Sequence, residues 1–187
     1  AKLAKDVIVP AKALGILVKG LETGPCTVST SNTHVKFTYD QTVLTSRLIE
    51  ETYPNYEVVI PKENNRFLTI KREDLINAIR RVSLFANASN HQVRFDLAAN
   101  SLKLSAQDAD AGGEAHEALQ AQYDAEPMEI GFNATYLVDI LSHIEGEQVI
   151  MKFSAPTRAG IVSPAESPET EDTLMLIMPV RLTVPEH

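Results

Sequence analysis

One pattern of secondary structure occurs three times in the sequence, and this internal repeat limits the possible folds more than any other feature. Each copy predicts a short apolar strand, then a helix, then three further strands, and the copies begin near residues 7, 67 and 128. A single copy would form a small sheet with a helix on one face, leaving an open sheet edge and a half-covered apolar face. We therefore expect an α+β fold in which the copies pair, with antiparallel sheets outside and the helices on one face.

The first copy begins with a short apolar strand and continues into a helix over residues 11–21. Leu14, Leu17, Val18 and Leu21 recur at helical spacing and predict one apolar stripe. Segments rich in Val, Thr, Phe and Tyr then predict three strands, at residues 26–29, 34–39 and 42–49.

The second copy has the same order of elements. Its predicted helix, over residues 72–86, has an apolar stripe of Leu75, Ile76, Ile79 and Val82. Alternating apolar and polar residues predict its strands, at 67–70, 93–97, 102–104 and 114–123.

In the third copy, Asn133 is a natural N-cap for a helix that Gly146 closes. The predicted strands of this copy lie at 129–132, 149–154, 160–163 and 173–178. The chain then continues into Val180-Arg181-Leu182, which is similar to Ser46-Arg47-Leu48 at the end of the first copy. This similarity predicts that the two segments are equivalent.

A polar, turn-forming stretch at residues 61–65 separates the first copy from the second and is the best candidate for a domain boundary. We expect residues 66–182 to form a complete domain of two copies and residues 1–61 to form half of another, with 183–187 as a short tail.

Composition favours a folded, soluble protein. Of the 187 residues, 44% are hydrophobic and 22% are charged, and no apolar run reaches the roughly 18 residues that a membrane span needs. Cys26 is the single cysteine, so no intrachain disulfide can form. These features predict a protein of a reducing cytoplasm, with no membrane partner.

The net charge of −8 argues against a simple nucleic-acid binder, but the charges are unevenly distributed. Residues 1–94 contain 13 basic and 9 acidic residues, whereas residues 95–187 contain 4 and 16. Five cations lie on the first two predicted helices, which occupy equivalent repeat positions: Lys12, Lys19, Arg72, Arg80 and Arg81. They predict either a solvated face or, if the helices line one surface, a sequence-independent track for DNA phosphates.

Signatures of catalysis and of cofactor binding are missing. The five histidines lack metal-ligand spacing, and the sequence contains no phosphate-binding loop, dinucleotide fingerprint or nucleophile elbow. The acidic segment 108–114 differs from a calcium loop because Gly112 and Leu119 stand where oxygen ligands are needed. We expect a non-enzymatic protein without metal or cofactor; a small hydrolase with a concealed site is the weakest alternative.

Several motifs in order resemble one family. They are residues 7–10, 46–50, 53–56 with 59–61, 129–133 with Tyr136-Leu137, and 178–182. Together they are similar to the beta sliding clamp, the processivity subunit of bacterial DNA polymerase III. The resemblance implies three domains of two copies each, and two such crescents that close head to tail around duplex DNA. It also implies that this chain is the second half of the middle domain plus the entire third domain.

The same resemblance implies a cleft between those two domains that receives short linear motifs of the polymerase III catalytic subunit, the clamp loader and repair polymerases. The matching positions here are Pro54, Val58, Val59, Asn133, Tyr136, Thr157, Leu176, Met178, Pro179, Val180 and Arg181. Val58 stands where an arginine can occur in the family, and Glu51 replaces a common glycine. The family's other cleft wall, a Gly-His-Arg-Leu loop, lies outside this chain, so we expect the cleft to be incomplete.

Leu84 and Phe85 follow a helix whose apolar stripe is already filled, so at least one of them should face solvent. The resemblance implies that this corner contacts the first domain of a second subunit in a homodimeric ring, and we expect the present chain alone to be monomeric or weakly self-associated. The leading function is a DNA-encircling processivity clamp of the bacterial cytoplasm. The alternative is a protein-interaction module of the same repeat without a DNA role.

Overall fold

The computed structural model describes residues 6–21, 23–108, 112–166 and 173–182, and it contains the predicted order of elements in the second and third copies. The first copy has the helix and the three strands that follow it, but its predicted first strand is reduced to an isolated bridge between Ile8 and Ile49. The chain forms two compact units that divide between Asn55 and Tyr56. This division lies before the predicted boundary at 61–65, and the predicted tail at 183–187 lies outside the described residues.

The first unit contains one helix and one antiparallel sheet. Its elements are α1 (Ala11–Gly20), β1 (Thr27–Thr30), β2 (His34–Tyr39) and β3 (Thr42–Arg47), with strand order β1-β2-β3. Val35, Phe37, Tyr39 and Leu48 form its buried core.

The predicted apolar stripe of α1 is only partly buried. Leu17 and Leu21 pack against the core of the first unit, whereas Leu14 is 42% exposed and Val18 is 75% exposed. The physical reason is that one three-stranded sheet covers one side of a helix, so the stripe is wider than the surface available to bury it.

The second unit contains two sheets and two helices. Its elements are β4 (Arg66–Lys71), α2 (Arg72–Val82), β5 (Gln92–Ala98), β6 (Ser101–Asp108), β7 (Gly113–Gln120), β8 (Gln122–Tyr123), β9 (Met128–Asn133), α3 (Ala134–Ser142), β10 (Gln148–Phe153), β11 (Gly160–Pro164) and β12 (Met175–Ile177). One sheet has the order β12-β11-β10-β4-β8 and the other β7-β6-β5-β9. The second predicted helix ends at Val82, where a 3-10 turn (Ser83–Phe85) follows, and the predicted strand 114–123 is broken at Ala121.

The second and third repeats exchange their first strands. β4, which begins the second repeat, pairs with β10 of the third, and β9, which begins the third repeat, pairs with β5 of the second. Side chains from both sheets and both helices then share one core, which includes Leu75, Phe95, Phe132, Leu137 and Met151. The α+β fold of paired repeats is therefore confirmed.

In every repeat, the chain just after the third of the strands that follow the helix pairs with a residue just before the helix. The paired residues are Ile8 with Ile49, Thr69 with Gln122, and Gly131 with Val180. The first residue of each pair lies three positions before its helix, so the three contacts are equivalent. We call them the closing contacts. They align Ile49 with Val180, so the predicted equivalence of Ser46-Arg47-Leu48 and Val180-Arg181-Leu182 is wrong by three residues.

The closing contact of the third repeat requires a residue without a side chain. At Gly131, a Cβ atom would lie 2.7 Å from Leu182 Cδ2 and 2.9 Å from the Val180 carbonyl oxygen. We expect Gly131→Ala to lower the free energy of unfolding by about 1–3 kcal/mol, because a backbone atom must move to admit the methyl group. Chemical denaturation of the chain measures this.

Gly15→Ala is the matched control, because a Cβ atom at Gly15 in α1 would meet no atom within 4 Å. The alanine should stabilise the helix by about 0.5–1 kcal/mol. Equal stability of the Gly131→Ala variant and the parent chain would contradict the close approach at the third closing contact.

Candidate partner-binding and DNA-facing surfaces

Exposed apolar side chains surround the start of α3. Tyr136 is 67% exposed in the first turn of this helix, and Met178 is 63% exposed in the segment that leaves β12. Asn133 caps the helix: its Oδ1 accepts hydrogen bonds from the backbone N–H groups of Thr135 and Tyr136, at 3.0 and 3.2 Å. Its Nδ2 donates to the Asn90 carbonyl oxygen at 2.9 Å. Asn133 therefore positions Tyr136.

The third closing contact holds the last described segment beside α3. The Val180 N–H donates to the Gly131 carbonyl oxygen at 2.8 Å, three residues before the helix begins. The segment from Met178 to Val180 thus crosses from the edge strand β12 of one sheet to the edge strand β9 of the other. Pro179 and Val180 are half-buried in this crossing, and Arg181 is exposed.

Two further predicted positions lie on the sheet that ends in β12. Thr157 is exposed in the turn between β10 and β11, and Gly160 just after it pairs with Ile177. Because Met178 follows Ile177, Thr157 lies at the same end of the sheet as Met178. Leu176 is half-buried and pairs with Ile161.

The remaining predicted positions lie around the division between the units. Val58 and Val59 are in a 3-10 turn (Tyr56–Val59) of the second unit and are 75% and 56% exposed. Pro54 belongs to the first unit and is exposed. Their role in partner binding stays a prediction.

Asn64, which the sequence analysis did not identify as a functional residue, holds the segment after this 3-10 turn in place. Asn64 Nδ2 donates to the carbonyl oxygens of Lys152 and Ala159, at 2.9 and 3.1 Å. These bonds attach the predicted linker to the hairpin that carries Thr157. No local pattern reveals them, since they join residues 88 and 95 positions apart.

The five predicted DNA-facing cations are in different environments. Arg72 is used within the fold: its Nε donates to the Gly146 carbonyl oxygen at 3.1 Å and its Nη1 to the Leu141 carbonyl oxygen at 3.3 Å. The guanidinium group thus lies at the C-terminal end of α3, where carbonyl groups lack helical partners and a positive charge is favourable. Arg72 thus ties α2 to α3, and its Nη2 lies 3.9 Å from Glu73 Oε1, so most of its hydrogen-bond donors are directed at groups of the protein rather than at solvent.

Arg81 is paired with Glu117 of β7 through both carboxylate oxygens, with 3.1 Å between Nε and Oε2. This hydrogen-bonded pair raises the pKa of Arg81 and lowers the pKa of Glu117, because each charge stabilises the other. The pair joins α2 to the edge strand of the four-stranded sheet.

The other three cations are exposed, and no acidic side chain of the described residues forms an ion pair with them. Lys12 and Lys19 lie seven residues apart and therefore on one face of α1. Arg80 lies on the solvent side of α2.

Acidic side chains share the helical surface of the second unit with Arg80. Glu73 and Asp74 are exposed on α2, and Asp139 is exposed on α3, which has no lysine or arginine. The helical surface of this unit is thus less basic than the sequence alone suggested.

An apolar corner lies where α2 ends. Leu84 is 81% exposed, which confirms that at least one of the two predicted side chains faces solvent. Phe85 is 44% exposed, and its ring packs on Gly113, where a Cβ atom would lie 3.0 Å from Phe85 Cδ1. Gly113 begins β7, which is the edge strand of its sheet. The apolar corner is therefore continuous with an open sheet edge.

Neither a metal site nor a membrane span emerges from the part of the chain that the structure describes. No group of three or more His, Cys, Asp or Glu side chains there could hold a metal ion. Among the same residues, every helix is too short or too polar to cross a bilayer.

Comparison with known proteins gives a consistent result. A family model described as the C-terminal domain of the DNA polymerase III beta subunit matches residues 57–181. The beta sliding clamp of Vibrio cholerae is 29% identical over 180 residues, which is 95% of this chain and 48% of that protein. The beta sliding clamp of Caulobacter vibrioides is 32% identical over 171 residues, which is 90% of this chain and 46% of that protein.

Solved structures give the same result. The sliding clamp of Bartonella birtlesii bound to griselimycin has a TM-score of 0.87 and 32% identity, and the match covers 96% of this chain and 48% of that one. The DNA polymerase sliding clamp of Pseudomonas aeruginosa also has a TM-score of 0.87, with 30% identity over 94% of this chain and 48% of that one. The chain spans about half the length of the relatives it matches, and its repeats, its fold and its family match show that it belongs to the beta sliding clamp family.

Proposed function

We propose that this chain works as the C-terminal half of a DNA polymerase processivity clamp, a ring that encloses duplex DNA and has no catalytic role. The observation that carries the proposal is the repeat itself: helices in equivalent positions of a repeated unit present exposed, unpaired cations at Lys12, Lys19 and Arg80. Such cations can attract phosphates without reading bases. The proposed place of action is the bacterial cytoplasm.

The exposed apolar side chains around α3 support a partner-binding role. Tyr136 and Met178 present an aromatic and an unbranched apolar side chain beside a segment that crosses between two sheets. Such surfaces suit extended peptides with a few apolar anchors. We propose short linear motifs of the polymerase III catalytic subunit, the clamp loader and repair polymerases as the occupants. Val58, Val59 and Thr157 are proposed to line the same cleft, together with Pro54, Leu176 and Arg181.

The apolar corner supports self-association. An edge strand of eight residues, β7, presents unpaired backbone groups beside exposed Leu84. Edge strands of this length are ready to pair with another chain unless they are covered. We propose that a second subunit covers β7 and Leu84 when the ring closes.

The proposed function predicts how the complete clamp is retained on DNA. By the complete clamp we mean this half together with the preceding half that its relatives have. It should remain on circular DNA and be lost from the same DNA after linearisation, because a closed ring can leave only over a free end. Arg80→Gln should reduce the slope of log affinity against log salt by about 0.9, the loss expected for one phosphate contact. Gel filtration of labelled clamp on nicked plasmid measures retention, and fluorescence anisotropy measures the salt slope.

Lys103→Gln is the matched control for Arg80→Gln. Lys103 is exposed on β6 between buried Leu102 and Leu104, so its side chain lies on the face of the sheet away from the helices. Its removal should leave the salt slope unchanged. Equal retention on circular and linear DNA would contradict encirclement, and no retention on either would support an interaction module without a DNA role.

The second prediction concerns the partner cleft. Buried anchors typically contribute about 2 kcal/mol, so Met178→Ala in the complete clamp should weaken binding of a Gln-Leu-Ser-Leu-Phe peptide by roughly thirtyfold. The melting temperature should change little, because the side chain is 63% exposed. Isothermal titration calorimetry measures the affinity.

Leu174→Ala is the control, since Leu174 is also exposed but precedes β12 rather than following it. Its replacement should leave the affinity as it was. Unchanged affinity in a folded Met178→Ala protein would remove Met178 from the cleft. Equal affinity in the present chain and in the complete clamp would show that the predicted second wall contributes nothing.

The third prediction concerns ring closure. Leu84→Ala combined with Phe85→Ala should convert the complete clamp from dimer to monomer in sedimentation velocity, because apolar area at the proposed interface is lost. Phe67→Ala is the control: Phe67 is 45% exposed on β4, away from the β7 edge, and its loss should leave the dimer intact. A persistent dimer in the double variant would exclude this corner from the interface.

A further inference from the structure

A cavity adjoins the closing contact in each of the first two repeats. A cavity of about 390 Å³ contains Ile8 and Ile49, the closing pair of the first repeat, together with Asn32. A cavity of about 710 Å³ contains the second closing pair, Thr69 and Gln122, together with Asn100. Both asparagines lie in the turn between the first two of the three strands that follow the helix. Each cavity thus includes a closing pair and the turn between those two strands, and the cavity of the second repeat also reaches Asp74 of α2.

The third repeat has the proposed partner cleft at this place. Its closing pair is Gly131 with Val180, and Thr157 lies in the turn that corresponds to the turns of Asn32 and Asn100. The proposed cleft and the cavity of the second repeat are therefore equivalent sites with different side chains.

Three positions can be compared directly between the two repeats of the second unit. The third residue of the helix is Asp74 in the second repeat and Tyr136 in the third. The closing residue is Gln122 in one and Val180 in the other, and the residue two positions earlier is Gln120 or Met178. Asp74, Gln120 and Gln122 are exposed and line the same cavity.

These replacements determine which ligand the cavity can accept. An apolar anchor that entered the second cavity would remove water from the Asp74 carboxylate and from two side-chain amides without replacing their hydrogen bonds. Burying unsatisfied polar groups in this way is unfavourable, most of all for a charge. Rejection of a ligand by such desolvation is an established source of specificity.

We propose that Asp74, Gln120 and Gln122 are specificity-determining residues that prevent the second repeat from binding the apolar motifs taken by the third. The inference rests on the proposed partner-binding function. It explains how a domain with two equivalent positions presents one partner site. Each subunit then holds one partner peptide at a time, although the fold offers a second position.

The test is to give the cavity of the second repeat the three side chains that the third repeat has at the equivalent positions of its proposed cleft. The variant Asp74→Tyr, Gln120→Met, Gln122→Val of this chain should acquire a second site for the Gln-Leu-Ser-Leu-Phe peptide. In an NMR titration, the parent chain should show peptide-induced shifts near Asn133 alone. The variant should also show them at Asn100 and Gln148, which line the second cavity. The expected stoichiometry rises from one peptide per chain to two.

The variant is designed to keep the fold, since all three side chains are exposed. If its spectrum is nevertheless not that of a folded domain, the pair Gln120→Met with Gln122→Val leaves α2 unchanged and should give weaker shifts at the same two residues. Adding Met178→Ala to the triple variant should move the shifts near Asn133 to roughly thirtyfold higher peptide concentration and leave those at Asn100 unchanged.

The outcomes separate the inference from the function on which it rests. No peptide binding by the complete clamp at any concentration up to several millimolar would contradict the proposed partner site. If the present chain lacks the affinity for the titration, the same variants and measurements are made in the complete clamp. Binding near Asn133 with no shift at Asn100 in a folded variant would overturn the inference and leave the partner site standing. Shifts at Asn100 in the parent chain would also overturn it, because the three side chains would then exclude nothing.

Discussion

The exchange of first strands between the second and third repeats is the interaction on which the rest of the second unit depends. β4 completes the sheet of the third repeat and β9 completes that of the second, so neither repeat has a finished sheet alone. The buried side chains of both then belong to one core. Because each helix directly follows an exchanged strand, the exchange also sets the position of Asp74 at the cavity of the second repeat and the position of Tyr136 at the start of α3.

In the first unit, a single repeat has no second repeat of the described chain to exchange a strand with, and it leaves a sheet edge and an apolar helix face uncovered. β1 corresponds to β5 and β10, but it pairs only with β2 and keeps a free edge among the described strands. Ile16 of α1 is 49% exposed, and Leu14 and Val18 are exposed beside it. An open edge and an uncovered apolar helix face are the defects that strand exchange repairs in the second unit. Among the described residues, the first unit therefore leaves uncovered the edge and the helix face that the second unit covers, and the chain spans about half the length of its relatives.

The sequence predicted the features that depend on local pattern. The repeat order, the Asn133 cap and the alternation along β5 and β6 each follow from neighbouring residues, and the structure contains them. Hydrogen-bond partners that are distant in the sequence could not be predicted from local pattern. Arg72 was predicted to face DNA but binds carbonyl groups about 70 residues away, and Asn64 binds a hairpin that local pattern does not connect to it. The break at Ala121 was missed because alternation continues through it, although the chain there passes from one sheet to the other. The proposed cleft positions came from the family resemblance, since exposure of Tyr136 and Met178 cannot be deduced from periodicity.

The distribution of charge bears on how the proposed ring would hold DNA. In the second unit, Arg81 is paired with Glu117 and the Arg72 guanidinium is held by carbonyl groups at the end of α3. Arg80 shares its helical surface with Glu73, Asp74 and Asp139. A surface with so few free cations releases few counterions and binds a static duplex weakly. Weak binding would be a defect in a protein that holds DNA by contact alone. In a closed ring, topology prevents escape while weak contacts permit movement along the duplex, so a modest charge on the helices is the property that sliding requires.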